Sequence, residues 1–161
     1  MNTQESDLHP MQLAIEASRE AAAAGDMPYG ATLVSPAGEV LLTERNRECS
    51  SGDVSAHAEV VLVRRAREQL GADAVKGATV YASGEPCAMC AGAMFWAGVG
   101  RVVYAASQPE MAALSEGGAQ LPARCADLLG AAQPPVAVTG GVLAESAMAV
   151  LREVAAAGKP G

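Results

Sequence analysis

A chain of 161 residues, half of them apolar, can bury one sizeable core but is short for two, so one domain over residues 1–161 is expected. Acidic residues outnumber basic ones 18 to 11, giving a formal charge of −7, and the densest cation group, Arg64, Arg65 and Arg67, falls on one predicted helix as a solvated face. That balance argues against a nucleic-acid partner, while the lack of an apolar run of roughly 20 residues and the polar, leaderless stretch 1–10 predict a cytoplasmic protein without a membrane partner.

Met11, Ile15, Ser18 and Ala22 drift along a helical stripe that Gly25 ends, which predicts a helix over 11–24. Short strands follow at 31–34 and 40–43, separated by the turn residues Ser35, Pro36, Ala37 and Gly38, as in a hairpin. A polar loop over 45–55 leads into a periodic helix over 56–70, stopped by Gly71. The next strand is 78–82. Pro86 then suits a first helical turn, and 87–97 is small, apolar and closed by Gly98, which predicts a buried helix. Strands at 101–105 and 136–139 and an amphipathic helix over 144–157 complete the pattern. Strands alternating with helices imply a layered α/β sheet. Residues 107–135 are broken by Gly and Pro and fit a loop, a short helix or a pocket rim. The tail 155–161 reads as too small and flexible to be structured.

Chemistry concentrates in two clusters, His57-Ala58-Glu59 and Pro86-Cys87-Ala88-Met89-Cys90, each opening a predicted helix. Thiolates at i and i+3 on a first turn face one side, and an imidazole from a second helix start makes three zinc ligands, His57, Cys87 and Cys90. The fourth tetrahedral position is left for water, as catalysis needs. Helix N-termini also favour thiolate over thiol. Glu59, two residues from His57 and not a ligand, is placed to take a proton from the water, protonate a ring nitrogen and help an amine leave. The combined pattern is the signature of zinc deaminases. A thioredoxin-like redox site is the main rival, and it leaves His57 and Glu59 without a role.

These segments resemble the cytidine deaminase-like superfamily over residues 11–153. His57-Ala58-Glu59-Val60 and the run from Glu85-Pro86-Cys87 to Ala93-Met94 are similar to its bacterial guanine deaminase and tRNA adenosine deaminase branch. The resemblance implies a three-layer α-β-α fold with a five-stranded mixed sheet, one Zn2+ per subunit and a homodimer or larger assembly. It also implies a base-binding Asn46, and a pocket lined by Pro28-Tyr29-Gly30-Ala31 and by Ala58 between the two catalytic positions. Phe95-Trp96-Ala97 is similar to a segment of guanine deaminases, which favours a free nucleobase-like small molecule: guanine, cytosine, isocytosine or an aminotriazine. Adenosine-to-inosine editing in a tRNA is the alternative, and a zinc-stabilised binding module without catalysis is a third. The acid that such enzymes carry after the fourth strand falls on Glu110 or Glu116, with Glu110 preferred. The tail 155–161 has no aromatic residue, which predicts a changed or missing lid.

Among the few aromatics, Tyr29 and Trp96 are candidates to touch a flat ring. The Glu85 carboxylate is a candidate to organise the metal loop. Met89, Met94 and Met148 read as core fillers, and Cys49 and Cys125 as free thiols.

Overall fold

The computed structural model describes residues 4–158; the end of the tail, 159–161, lies outside them. Five strands form one mixed sheet in the order β2-β1-β3-β4-β5: β1 (Gly30–Val34), β2 (Val40–Arg45), β3 (Thr79–Gly84), β4 (Arg101–Ala106) and β5 (Ala137–Thr139). β1 runs antiparallel to both β2 and β3, whereas β3, β4 and β5 are parallel. Among the described residues seven helices cover it: α1 (Leu8–Ala23), α2 (Glu48–Ser51), α3 (Ala58–Leu70), α4 (Ala88–Ala97), α5 (Gln108–Ala112), α6 (Cys125–Gly130) and α7 (Ala144–Ala156). No helix among the described residues is long and apolar enough to cross a membrane.

The sheet separates two cores, which makes the three layers. On one face Leu62 and Ala66 of α3, Ala91 and Met94 of α4, and Cys125 and Leu129 of α6 pack on Leu33, Val80 and Val102. On the other, Met11 and Ile15 of α1 and Met148 and Leu151 of α7 pack on Tyr81, Val103 and Ala105. Strands β3 and β4, parallel neighbours in the middle of the sheet, are buried on both faces, so they read as runs without alternation.

Sequence and structure differ in three places, and the stretch 107–135, open between loop, short helix and pocket rim, is resolved. The 45–55 loop contains the short helix α2, which Gly52 ends in the left-handed region at φ 70°. Residues 107–135 contain two short helices, α5 and α6, too brief to show a period. The tail stays helical through Ala156. Helix α4 is not wholly buried: Cys90, Ala91 and Met94 share its inner side, and at 100° per residue Met89 and Trp96 fall opposite, with Trp96 82% exposed. Met89 is therefore not a core filler.

Strand β4 begins with an arginine that ties down the N-terminal segment. Arg101 Nη1 and Nη2 donate to the two oxygens of Asp7 at 2.8 and 3.0 Å, and Tyr81 Oη donates to Asp7 at 2.7 Å. Asp7 is fully buried. Burial opposes its ionisation, but the Arg101 and Tyr81 hydrogen bonds outweigh that and hold its pKa below the usual carboxylate value. A carboxylate depressed in the folded state stabilises fully above its unfolded pKa, near 4, and that contribution is lost as pH falls through the folded value. Asp7→Asn is therefore expected to lower stability by about 3 kcal/mol at pH 7 in urea unfolding, with the gap to wild type narrowing in acid.

Candidate metal centre and its cleft

Because β1 is antiparallel to β3, the start of β1, the end of β2 and the carboxyl ends of β3 and β4 all meet at one edge of the sheet. Asn46 N donates to Tyr29 O at 3.0 Å, Gly30 N to Ser83 Oγ at 3.0 Å and Glu85 N to Ala106 O at 2.8 Å, sewing that edge together. The helices that follow start there. His57 is the N-cap of α3 and Cys87 the N-cap of α4, each with an extended backbone. Two helix tips therefore point at one place.

Their side chains converge. Cys87 Sγ lies 3.6 Å from Cys90 Sγ and 3.6 Å from His57 Nδ1, and Cys90 Sγ lies 3.4 Å from the same nitrogen. Tetrahedral zinc with bonds of about 2.3 Å to sulfur and 2.0–2.1 Å to nitrogen requires S···S near 3.8 Å and S···N near 3.6 Å. The triangle has the right donors at the right size, and among the described residues it is the group of three that could hold a metal ion. On the far side of the ring, His57 Nε2 sits 3.3 Å from Glu48 Oε1, which fixes the imidazole with Nδ1 toward the sulfurs. Glu48 is in turn held by Asn46, whose Nδ2 donates to Glu48 Oε1 at 2.7 Å and whose Oδ1 accepts from Glu48 N at 2.9 Å.

The charges are coupled. A hydrogen bond from the Cys90 thiol, with help from His57, lowers the Cys87 pKa to about 4, and the same thiol contact drives Cys90 upward. The Cys87 thiolate raises His57 to about 8 against the cost of its burial. Burial pushes the Glu59 carboxyl up to about 7, while Cys90 and His57 pull it down.

A cleft of about 720 Å³ opens over these groups, within the range for small-molecule sites. Tyr29, Asn46, Ala58, Glu59 and Glu85 all line it beside His57 and Cys87. Gly84 keeps one wall tight, since a methyl there would lie 2.8 Å from Met111 Sδ and 2.9 Å from Tyr29 Cε1. A second hollow of about 340 Å³, between α1 and β2, holds none of the three donors.

Three sequence-derived candidates are not in the cleft wall. Trp96 sits on the outer side of α4, edge-on to Phe95 at 4.9 Å. Glu110 turns back to cap its own helix, accepting from Ser107 N and Oγ at 2.8 Å each, because an acid three residues after a serine closes a capping box. Glu116 is exposed on the loop beyond. Conversely, Glu48, Gln108, Met111, Leu121 and Arg124 line the cleft without having been singled out. An acid two residues after Asn46 is the one faint signal for Glu48. The others come from the segment without periodicity.

The profile of the cytidine and deoxycytidylate deaminase zinc-binding region matches residues 4–106. The chain belongs to this zinc-binding deaminase family. A probable cytosine deaminase of Schizosaccharomyces pombe is 34% identical over 89% of this chain and 89% of its own length. A tRNA-specific adenosine deaminase of Agrobacterium fabrum is 39% identical over 68% of this chain and 71% of its own length. A tRNA(Ile)-lysidine synthase of Deinococcus deserti is 40% identical over 87% of this chain, which spans only 25% of that protein. Among solved structures, the guanine deaminase of Nitrosomonas europaea superposes with a TM-score of 0.79 at 26% identity, over 97% of this chain and 87% of the other.

Since zinc requires deprotonated sulfurs and a neutral imidazole, its uptake by this set releases protons, and its apparent affinity is expected to fall as pH drops, more steeply below about 8, where His57 is protonated as well as Cys90. Cys87→Ser and Cys90→Ser are each expected to leave well under one zinc per chain by elemental analysis. Glu48→Gln is expected to weaken zinc binding by about 10- to 100-fold in a chelator competition.

Proposed function

We propose that this chain, acting as one domain, hydrolyses the exocyclic amine of a free nucleobase or base-like ring, such as guanine, cytosine, isocytosine or an aminotriazine. The products are the oxo ring and ammonia. The observation that carries this reading is the buried Glu59 carboxylate, two residues from His57 and lining the same cleft as His57 and Cys87, two of the three donors spaced for zinc. The relatives named for cytosine and guanine deamination support a free ring, as does an acidic chain without a basic patch.

Bound zinc supplies Lewis acidity that makes water nucleophilic near neutral pH. Glu59 takes the water proton and delivers it to the ring nitrogen beside the attacked carbon; it then takes the remaining proton from the hydroxyl added to that carbon and passes it to the amine, so that the carbon–nitrogen bond breaks, the oxo group forms and ammonia leaves. A carboxyl brought to about 7 by burial suits both directions of transfer. Tyr29 offers the flat ring a surface at the cleft wall, and Ala58 a small side chain beneath it. Asn46 has one N–H and one lone pair engaged by Glu48, which leaves one of each for a base edge.

Glu59→Gln is expected to keep about one zinc per chain while kcat falls by about 10²- to 10⁴-fold, scored by ammonia release across the four rings. Unchanged activity with zinc bound would favour a purely structural metal. Inosine formation in a purified tRNA transcript, far faster than any free-ring reaction, would favour the tRNA reading that the Agrobacterium relative raises.

The exposed side of α4 carries Met89 and Trp96 and the helix has no charged residue, so we assign it to a homodimer interface in a cytoplasmic enzyme. Trp96→Glu is expected to shift the native mass from two chains to one in light scattering.

A further inference from the structure

Arg124 takes no part in the chemistry above, yet it stands in the same cleft and is the one lysine or arginine lining it among the described residues. The other charged groups of the wall, besides His57 and the Cys87 thiolate, are the carboxylates of Glu48, Glu59 and Glu85.

Its position is fixed by Glu85, whose side chain is 1% exposed. Arg124 Nε lies 3.1 Å from Glu85 Oε1 and 2.9 Å from Oε2, and Arg124 Nη2 lies 3.3 Å from Tyr104 Oη. Glu85 also accepts Gln108 N at 2.9 Å and Cys125 N at 3.1 Å. One carboxylate, two residues before Cys87, thus gathers both ends of the segment 108–125, which supplies Pro109, Met111, Ser115 and Leu121 to the cleft wall.

The guanidinium is a planar fork with five donors in fixed directions. Two of its nitrogens are engaged, whereas Nη1 has no hydrogen-bond partner among the described residues. The group is thereby aligned, with one end left for a ligand. Its charge is balanced by Glu85, and Glu48 and Glu59 leave the wall net negative, which disfavours a phosphate. A neutral ring oxygen suits such a donor better.

We propose that Arg124, held in place by Glu85, selects rings that carry an oxo oxygen by donating from Nη1 to that oxygen. Glu85 is then a positioning residue, acting through Arg124. The inference rests on the free-ring reading and narrows its substrate class to amino-oxo rings over their diamino counterparts.

The test uses zinc-loaded full-length enzyme and matched rings in which one oxo group is replaced by an amino group: guanine against 2,6-diaminopurine, and cytosine against 2,4-diaminopyrimidine. Wild type, Arg124→Met and Arg124→Lys are compared for KM and kcat by ammonia release, and for inhibition constants where a ring is not turned over. In Arg124→Met the KM or inhibition constant of each oxo member is expected to rise by about 10-fold or more, that of its diamino partner to move less than about 2-fold, and kcat to fall little. Arg124→Lys keeps a cation beside Glu85 but loses the fork, and is expected to fall between. Should the methionine variant not fold, the lysine variant carries the same comparison.

Equal losses on both members of each pair, or a loss confined to kcat and zinc content, would overturn the proposal and make Arg124 a fastener of the wall alone. If wild type neither deaminates nor binds any of these rings, the free-ring reading itself fails and takes this inference with it.

Discussion

Three soft donors and one acid must occupy a few ångströms of space while the backbone groups around them stay satisfied, and this constraint explains the layout of the fold. Helix starts meet it well, because their amide groups have no partners within the helix and their positive end steadies a thiolate. A sheet that is antiparallel on one side of β3 and parallel on the other delivers two such starts, the α3 tip with His57 and the α4 tip with Cys87, to the same edge. The connections that leave that edge carry the remaining cleft residues, as expected where ligands sit beyond the carboxyl ends of parallel strands. Glu59 lies inside the first turn of α3, and burial there gives it a proton affinity different from that of a surface acid.

The acidity of the chain is partly internal. Asp7, Asp26 and Glu85 are each almost fully buried, and each joins separate pieces of chain through an arginine. Asp7 holds the N-terminal segment to β3 and β4. Asp26 accepts from Arg45 Nη1 and from Ser50 N at 2.7 Å each, which sets α2 and with it Glu48 against His57. Glu85 closes the far wall. A buried carboxylate paired in this way is costly to disrupt, because removing either partner strands the other in a poorly solvating interior. The metal donors are thus located by apolar packing from below and by charged staples from the sides.

Most of the fold was legible in the sequence because its long elements have clear periods and clear ends. The 3.6-residue stripe of α1, the Gly71 and Gly98 stops and the apolar strands all place an element within a few residues of where it stands. The convergence of His57, Cys87 and Cys90 was legible for a different reason: each lies at a helix start, and i, i+3 spacing on a first turn leaves little freedom. What stayed hidden depends on contacts between distant segments. Nothing local distinguishes Arg124 from a surface arginine, since its partner Glu85 lies 39 residues away. Glu110 stands in the cap of α5, and sequence does not separate that place from the cleft because a helix cap and a pocket acid look alike in one dimension. Trp96 lies on the outer side of α4, which sequence does not mark because the helix is apolar all round and nothing in it says which side meets the sheet.

The clasp at Glu85 has an architectural consequence. A segment tied at both ends to one point leaves its own span free to change without moving what lies beneath it, and loops built this way tolerate substitution and insertion more readily than the elements that carry them. The chain from 113 to 123 forms a replaceable panel over the chemical floor, while α6 beyond the clasp stays anchored in the core through Cys125 and Leu129. Lengthening or reshaping residues 113–123 would alter which molecules fit while the donor triangle and its acid kept their places.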